Sequence, residues 1–235
     1  MKKSKRYNSY REKVDRAKLY LLDEAVGLIK ESPPTKFDET VEIAVRLGVD
    51  PKKADQMVRG TISLTHGTGK KVKVLAFCAG ENEQVAKDAG ADYVGSTDLV
   101  EKIQGGWLDF DVAVATPDMM KIIGRLGKTL GARGLMPNPK SGTVTQDVAT
   151  AVKELKAGRI EYRVDRQANI AVPVGKVSFS AEQLSDNIKM FVNTILKAKP
   201  SSSKGTYLKG LSVCSTMGAG IKLDHQALIM ELKKG

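Results

Sequence analysis

Few residues in this 235-residue chain could make or break a covalent bond. The histidines are His66 and His225, far apart and without a serine elbow or paired nucleophile, so acid–base or nucleophilic catalysis has no constellation to act through. Cys78 and Cys214 sit in separate apolar runs with neither CxxC spacing nor a nearby histidine, which points to reduced core thiols and against a zinc site. GTGKK at 67–71 has half the look of a phosphate-binding loop. It lacks the leading glycine spacing and the Ser/Thr after lysine, and it precedes a strand. The turn after VLAF reads CAGEN, not GxGxxG, and the pairs Glu81/Glu83 and Asp109/Asp111 read as solvated edges. The expectation is no catalysis, no metal and no cofactor. A rival enzyme or small-molecule binder would need a pocket at the carboxyl ends of strands 72–77 and 111–116.

The chemistry that the residues do suit is RNA binding. KFDETVE at 36–42 offers Lys36 for phosphate, Phe37 as a rigid apolar plate, and Thr40 and Glu42 for ribose or base edges. Strand alternation puts Thr40 and Glu42 on one face, opposite Val41 and Ile43. A carboxylate in a positive field is not what bare phosphate binding would want. The same residues also admit a plainer reading, with Phe37 a core ring and Glu42 a solvated strand residue. STMG at 215–218 follows the apolar LSVC: Thr216 has a hydroxyl, Met217 is adaptable, and Gly218 lets a partner approach. A strand-ending turn with no partner is the alternative. Lys204, beside Gly205 in a Ser/Gly-rich loop, is a further phosphate ligand by residue type.

Residues 126–143, LGKTLGARGLMPNPKSGT, form a different kind of site. Glycine and proline at this density imply a looped backbone with positive-φ positions rather than a long helix or strand. Lys128, Arg133 and Lys140 lie within it and Arg125 just ahead, and the wider stretch 119–146 holds five Lys/Arg and no acid. Such a loop suits a phosphate-bearing partner; a basic surface loop without a partner is the alternative.

Composition narrows the partners. The net charge is +11, which speaks to nucleic acid more than to membrane, although a solvated basic surface or indiscriminate polyanion binding would share it. The amino terminus, MKKSKRYNSYREK, lacks the apolar run of a signal peptide, and no segment reaches the roughly 18–20 apolar residues that span a bilayer. A soluble, cytoplasmic protein that binds no membrane is expected.

The elements that must position these residues divide by pattern. The middle of the chain alternates strand and helix: VKVLAF (72–77), a helix over 82–90, DYVGS, a helix near 97–104, DVAVAT (111–116), a helix from Asp118, and a capped amphipathic helix within 145–158. That alternation implies parallel pairing and a small doubly wound, Rossmann-like α/β domain. The flanking segments read as α+β. They comprise helices over 5–17 and from Leu22 to about Ser32, strands at 40–48 and 58–64, strands EYRVD and NIAVPVG, a helix of about 181–198, and strands at 206–215 and 225–232.

Several blocks, in order, carry a resemblance: KFDETVE, VRGTISLTHGTGKK (58–71), the run at 126–143, GRIEYRVD (158–165), PVGKVSF (173–179), KGTYLKG (204–210) and STMGAG (215–220). The chain resembles the bacterial ribosomal protein L-one family, the stalk protein of the large ribosomal subunit. The resemblance implies that 1–66 and 160–235 join into one discontinuous RNA-binding α+β domain, with 67–159 inserted on a paired hinge at Gly67, Gly69 and Gly158. It implies that KFDET and STMG adjoin as the main site for large-subunit ribosomal RNA, with Asp165 and Arg166 a further contact. Lys2, Lys3, Lys5, Arg6 and Arg11 could add diffuse affinity or form a solvated tail. It also implies that Lys128, Arg133 and Lys140 face exit-site transfer RNA, that the protein represses its own operon messenger RNA, and that it is a monomer outside the ribosome. Thr65 and Ala132 stand where the family usually has proline, which frees φ at both places.

Overall fold

The computed structural model describes residues 4–233, so Lys2 and Lys3 of the amino-terminal cations lie outside the described residues. The chain forms two compact units. One takes the chain up to Gly69 together with the part from Ile160 onward; the other is Lys70–Arg159. They are called outer and inner here, after their order in the sequence.

The outer unit opens with helix α1 (Lys5–Lys13), capped by the Ser4 side chain. It stops short of the expected Ala17 because Val14 turns extended and buries itself, and Asp15 Oδ1 takes the Ala17 N–H at 2.8 Å. Helix α2 (Leu22–Lys30) buries Leu22, Ala25, Val26 and Ile29, one face of a 3.6-residue repeat, and ends ahead of Pro33. Strand β1 (Thr40–Leu47) alternates buried and exposed residues, and β2 (Arg59–Ser63) follows.

In the inner unit, β3 (Val74–Phe77) is buried at all four positions, as a strand covered on both faces must be. Helix α3 (Glu81–Asp88), β4 (Tyr93–Gly95), α4 (Thr97–Gln104) and β5 (Val112–Ala115) follow. The three strands are parallel in the order β4-β3-β5. The helix expected from Asp118 is a broken run: a 3-10 turn at Pro117–Met119, α5 (Met120–Ile123), a second 3-10 turn at Gly124–Leu126, and α6 (Gly127–Ala132). Three glycines in this run, each a weak helix former, account for its irregular winding. Lys128 therefore stands on a short helix, and the irregular loop begins only at Arg133. Helix α7 (Val148–Lys156) is capped by Asp147. One core packs Leu75, Phe77 and Ala115 with Leu99, Ile103 and Ile123; a second packs Val74, Ala76 and Val114 with Ala86, Val152 and Leu155. Both faces of the small sheet are thus covered by helices.

Back in the outer unit come β6 (Arg159–Arg163), which pairs with β2, then β7 (Asn169–Lys176), α8 (Ala181–Lys197), β8 (Leu208–Ser215), β9 (Ile221–Leu223) and α9 (His225–Leu232). The strand expected at 225–232 is a correction: it is helix α9, started by Asp224, whose carboxylate accepts from the Gln226 and Ala227 amides. The last strand is instead β9, which ends just ahead of that cap. The main sheet is antiparallel, ordered β7-β1-β8-β9, so an early strand lies between two late ones. This pairing makes the outer unit one body although its sequence is interrupted. Val41, Ile43 and Val45 bury one face of β1 with Ile29 of α2 and Ile188 and Phe191 of α8. On the opposite face Glu42, Ala44 and Arg46 remain exposed.

Asn187 of α8, fully buried, ties down the outer unit's edge near the crossing. Its Oδ1 accepts from the His66 amide at 3.2 Å, and its Nδ2 donates to the carbonyls of Gly67 at 3.0 Å and Val174 at 2.8 Å. Removing it leaves the buried Val174 carbonyl and two part-buried backbone groups without their partner, so Asn187→Ala should lower the unfolding free energy of the outer unit by about 2–3 kcal/mol in denaturant titration. A loss of a few tenths would show that water takes over its bonds.

Candidate nucleic-acid interface

The amino end of β1 and the carboxyl end of β8 meet, and the two sequence blocks named for RNA meet with them. The Thr216 amide donates to the Thr40 carbonyl at 3.0 Å, and the Thr40 amide donates to Thr216 Oγ1 at 3.0 Å. The Thr216 hydroxyl is therefore engaged in joining the strands. Thr40 Oγ1 in turn accepts from Lys176 Nζ at 2.9 Å. Asp38 is held by Ser178, whose hydroxyl donates to Oδ2 at 2.7 Å.

Between these segments sits Glu39, only 4% exposed. Strand alternation carried back one step from Val41 and Ile43 gives Glu39 the buried parity. Its Oε2 accepts the Met217 amide at 2.9 Å, and its Oε1 faces Arg6 Nη1 at 3.4 Å. Arg6 also donates to the carbonyls of Pro33 at 2.8 Å and Met217 at 3.2 Å. Burial opposes the charge. The Met217 amide and Arg6 nevertheless outweigh it and hold the carboxyl below its usual range. Gly218 packs beside this site: a Cβ there would collide with Ser215 Oγ and touch the ring of Tyr10. The Tyr10 hydroxyl donates to the Leu28 carbonyl at 3.1 Å, which seats α1 against α2.

The Phe37 ring is 54% exposed and the Met217 side chain 51% exposed. Phe37 is therefore not a core ring. Lys36 and Glu42 are exposed as well, and Thr40 is half-buried. Glu42 shares its face with Cys214, whose thiol is pushed up by burial and then by the Glu42 charge. The sequence blocks thus yield one surface with two large apolar side chains, a carboxylate and cations around a single buried acid.

Not every expected residue joins that surface. Asp165 and Arg166 lie in the turn before β7, where the Leu47 amide meets the Ala168 carbonyl. Lys204 adjoins Ser203, whose hydroxyl bonds the Gly48 carbonyl. All three are at the far end of β1, roughly 20 Å from Thr40 at the rise of an extended chain. There Pro51, Lys52, Met57, Arg163, Val164, Asp165 and Arg166 line a cleft of about 440 Å³. Asp165 accepts the Gln167 and Asn169 amides, each at 2.8 Å, so its carboxylate shapes the turn.

In the inner unit, Lys121, Arg125, Lys128, Arg133 and Lys140 are all exposed, and Gly134 and Gly142 take positive φ. Of the acids expected at solvated edges, Asp109 pairs with Lys73 at 2.8 Å and Asp111 pairs with Lys70. The glycines at the crossings also have positive φ. Gly69 abuts Lys176 and Phe179 so closely that an added Cβ would lie 2.8 Å from the nearer, and Gly67 is held by Asn187. Both are anchored in the outer unit, while Gly158 closes helix α7. Among the described residues no three His, Cys, Asp or Glu side chains gather as a metal site, and no helix is long and apolar enough to cross a membrane.

Comparison with known proteins gives a consistent picture. Residues 28–219 match the sequence profile of the "Ribosomal protein L1p/L10e family". A protein named "Large ribosomal subunit protein uL1" from Thermobifida fusca is 58% identical over 227 residues, 97% of each chain. Proteins of the same name are 56% identical in Kosmotoga olearia, over 97% of this chain and 99% of that one, and in Cutibacterium acnes, over 97% and 98%.

Because the Glu39 carboxyl is depressed in the folded state, its contribution to stability is complete above its ordinary value of 4.5 and is lost as pH falls through the lower folded value. The stability difference between the protein and Glu39→Gln should be flat above about pH 5 and shrink on acidification. Measuring it as a difference cancels the other carboxylates. A gap that widens in acid would contradict the assignment.

Proposed function

The chain belongs to the ribosomal protein L1p/L10e family, and from that premise we propose that the β1/β8 end of its outer unit grips large-subunit ribosomal RNA. The protein is a structural constituent of the large ribosomal subunit and not an enzyme; ribosomal RNA is its partner, and the ribosome is its place in the cytoplasm. Its mechanism is therefore binding and motion, not bond chemistry.

The observation that carries the reading is the pair of exposed apolar side chains, Phe37 and Met217, beside backbone amides of Thr40 and Met217 that are bonded within the protein. An RNA base offers each a flat apolar face. Glu42 is an acceptor for ribose hydroxyls or base amino groups, and Lys36 supplies charge for phosphate. Thr40, Thr216 and Gly218 shape the surface. Asp165, Arg166 and Lys204 form a second contact. An RNA touching both ends would run along the open face of β1, past Ala44 and Arg46.

The inner unit reads as a small doubly wound, Rossmann-like domain, inserted between residues 1–66 and 160–235. Its helical run and loop, with Lys128, Arg133 and Lys140 among five exposed cations, suit the phosphates of exit-site transfer RNA, whose release the protein would assist. The hinge would lie beyond the anchored Gly67 and Gly69, paired with the crossing at Gly158. The same ribosomal RNA site would bind a look-alike structure in the operon's own messenger RNA, making the protein a repressor. Outside the ribosome it would be a monomer.

Phe37→Ala and Met217→Ala should each weaken ribosomal RNA binding by about 1–3 kcal/mol in a salt-series titration. Unchanged affinity in both, with folding intact, would remove the site. Replacing Lys128 and Arg133 together should spare ribosomal RNA affinity and weaken transfer RNA contact. A large loss of ribosomal RNA binding would move the primary site to the inner unit. Binding of the operon leader no tighter than a scrambled RNA would end the repressor role.

A further inference from the structure

We propose that Glu39, with Arg6, is a positioning residue of the RNA site: it touches no RNA, but sets the backbone on both sides of Met217. This inference rests on the reading of the β1/β8 end as the ribosomal RNA surface.

Glu39 is 4% exposed, and an ionised carboxylate in that position is tolerated only if its oxygens are met by donors. The strand pattern by itself would accept an apolar residue there, and such a residue would bury well beside Val41. What the carboxylate adds is directional. Its Oε2 takes the Met217 N–H at 2.9 Å. Its partner Arg6, at 3.4 Å from Oε1, sends its other nitrogen to the Met217 carbonyl at 3.2 Å. One ion pair therefore holds the peptide groups before and after Met217, and only the side chain is left to project. At position 218 any side chain would collide with Ser215 Oγ and reach the Tyr10 ring, so glycine lets the turn approach that closely. Arg6 is further fixed by the Pro33 carbonyl at 2.8 Å, so α1 and the segment before Phe37 are braced by the same group. Arg6 is thus turned inward, and its role differs from the diffuse phosphate attraction its charge alone suggests. A turn held in its binding geometry before RNA arrives loses less freedom on association.

The test compares the full chain with Glu39→Gln, Arg6→Gln, Met217→Ala, Phe37→Ala and the double variant Glu39→Gln/Met217→Ala, titrated with large-subunit ribosomal RNA across a salt series. Circular dichroism and thermal melting report on folding, and Arg6→Gln is the milder probe should Glu39→Gln fold poorly. Glu39→Gln is expected to weaken binding on the order of tenfold, the scale of a lost charged hydrogen bond. Its slope of log affinity against log salt should match that of the parent, because no phosphate contact is removed. Its effect should largely vanish in the Met217→Ala background, since the two act through one contact. Arg6→Gln should behave likewise, with a smaller loss. If Glu39→Gln and Arg6→Gln bind like the parent while Met217→Ala and Phe37→Ala lose affinity, the inference is wrong and the RNA surface stands. An additive double variant, or a shallower salt slope for Arg6→Gln, also overturns it. If all the variants bind like the parent, the RNA surface itself falls and the inference with it.

Discussion

The Glu39 carboxylate sits where water does not reach it, so each of its oxygens must be met from the protein. The donors that meet it come from distant parts of the chain: Arg6 from the first helix, and the Met217 amide from the turn after β8. Satisfying one buried charge thus fixes three segments with respect to one another. Met217 stands exposed on the turn so held, and Phe37 stands exposed two residues before Glu39. An apolar residue at the same position could fill the volume, but it would leave the Met217 turn to water and its own fluctuations.

This constraint works only because β1 lies between β7 and β8. The antiparallel register brings Thr40 to Lys176 on one side and Val41 to Ser215 on the other. A strand from the start of the chain is bonded on both edges by strands from its end. The long stretch between them is free to form a unit with its own cores, and Lys70–Arg159 does so around a three-stranded parallel sheet. The two units differ in what they leave exposed. The outer one presents apolar side chains beside a carboxylate; the inner one presents five exposed cations over 119–146, a stretch that holds no acid and suits phosphate.

Much of this was legible in the residues, and the misses have particular causes. Periodicity located β1, α4, α7 and α8 to within a few residues, because each buries one face against a core. It failed at 225–232, where one residue of HQALIMEL is buried and Asp224, a local cap, decides for helix. It also overran α1, because Val14 leaves the helical path to reach the core. Composition named the stretch 126–143 as looped, yet Lys128 is helical: glycine weakens a helix without forbidding a short one. In the binding surface, Phe37 and Met217 were found by type. Glu39 was passed over in favour of Glu42, although its parity with Val41 and Ile43 marks it as buried. What parity cannot reveal is the partner, since Arg6 and Met217 are brought to it only by tertiary packing. The separation of Asp165 and Lys204 from the main surface was equally hidden, because it follows from strand register.

Amide hydrogen exchange of the full-length protein, with and without large-subunit ribosomal RNA, tests the central claim most directly. The account predicts that RNA slows exchange at the amides of residues 36–42 and 216–218, with a weaker effect at 165–166 and 204 and little change over 119–146. Protection concentrated in 119–146, with 36–42 and 216–218 unaltered, would contradict it.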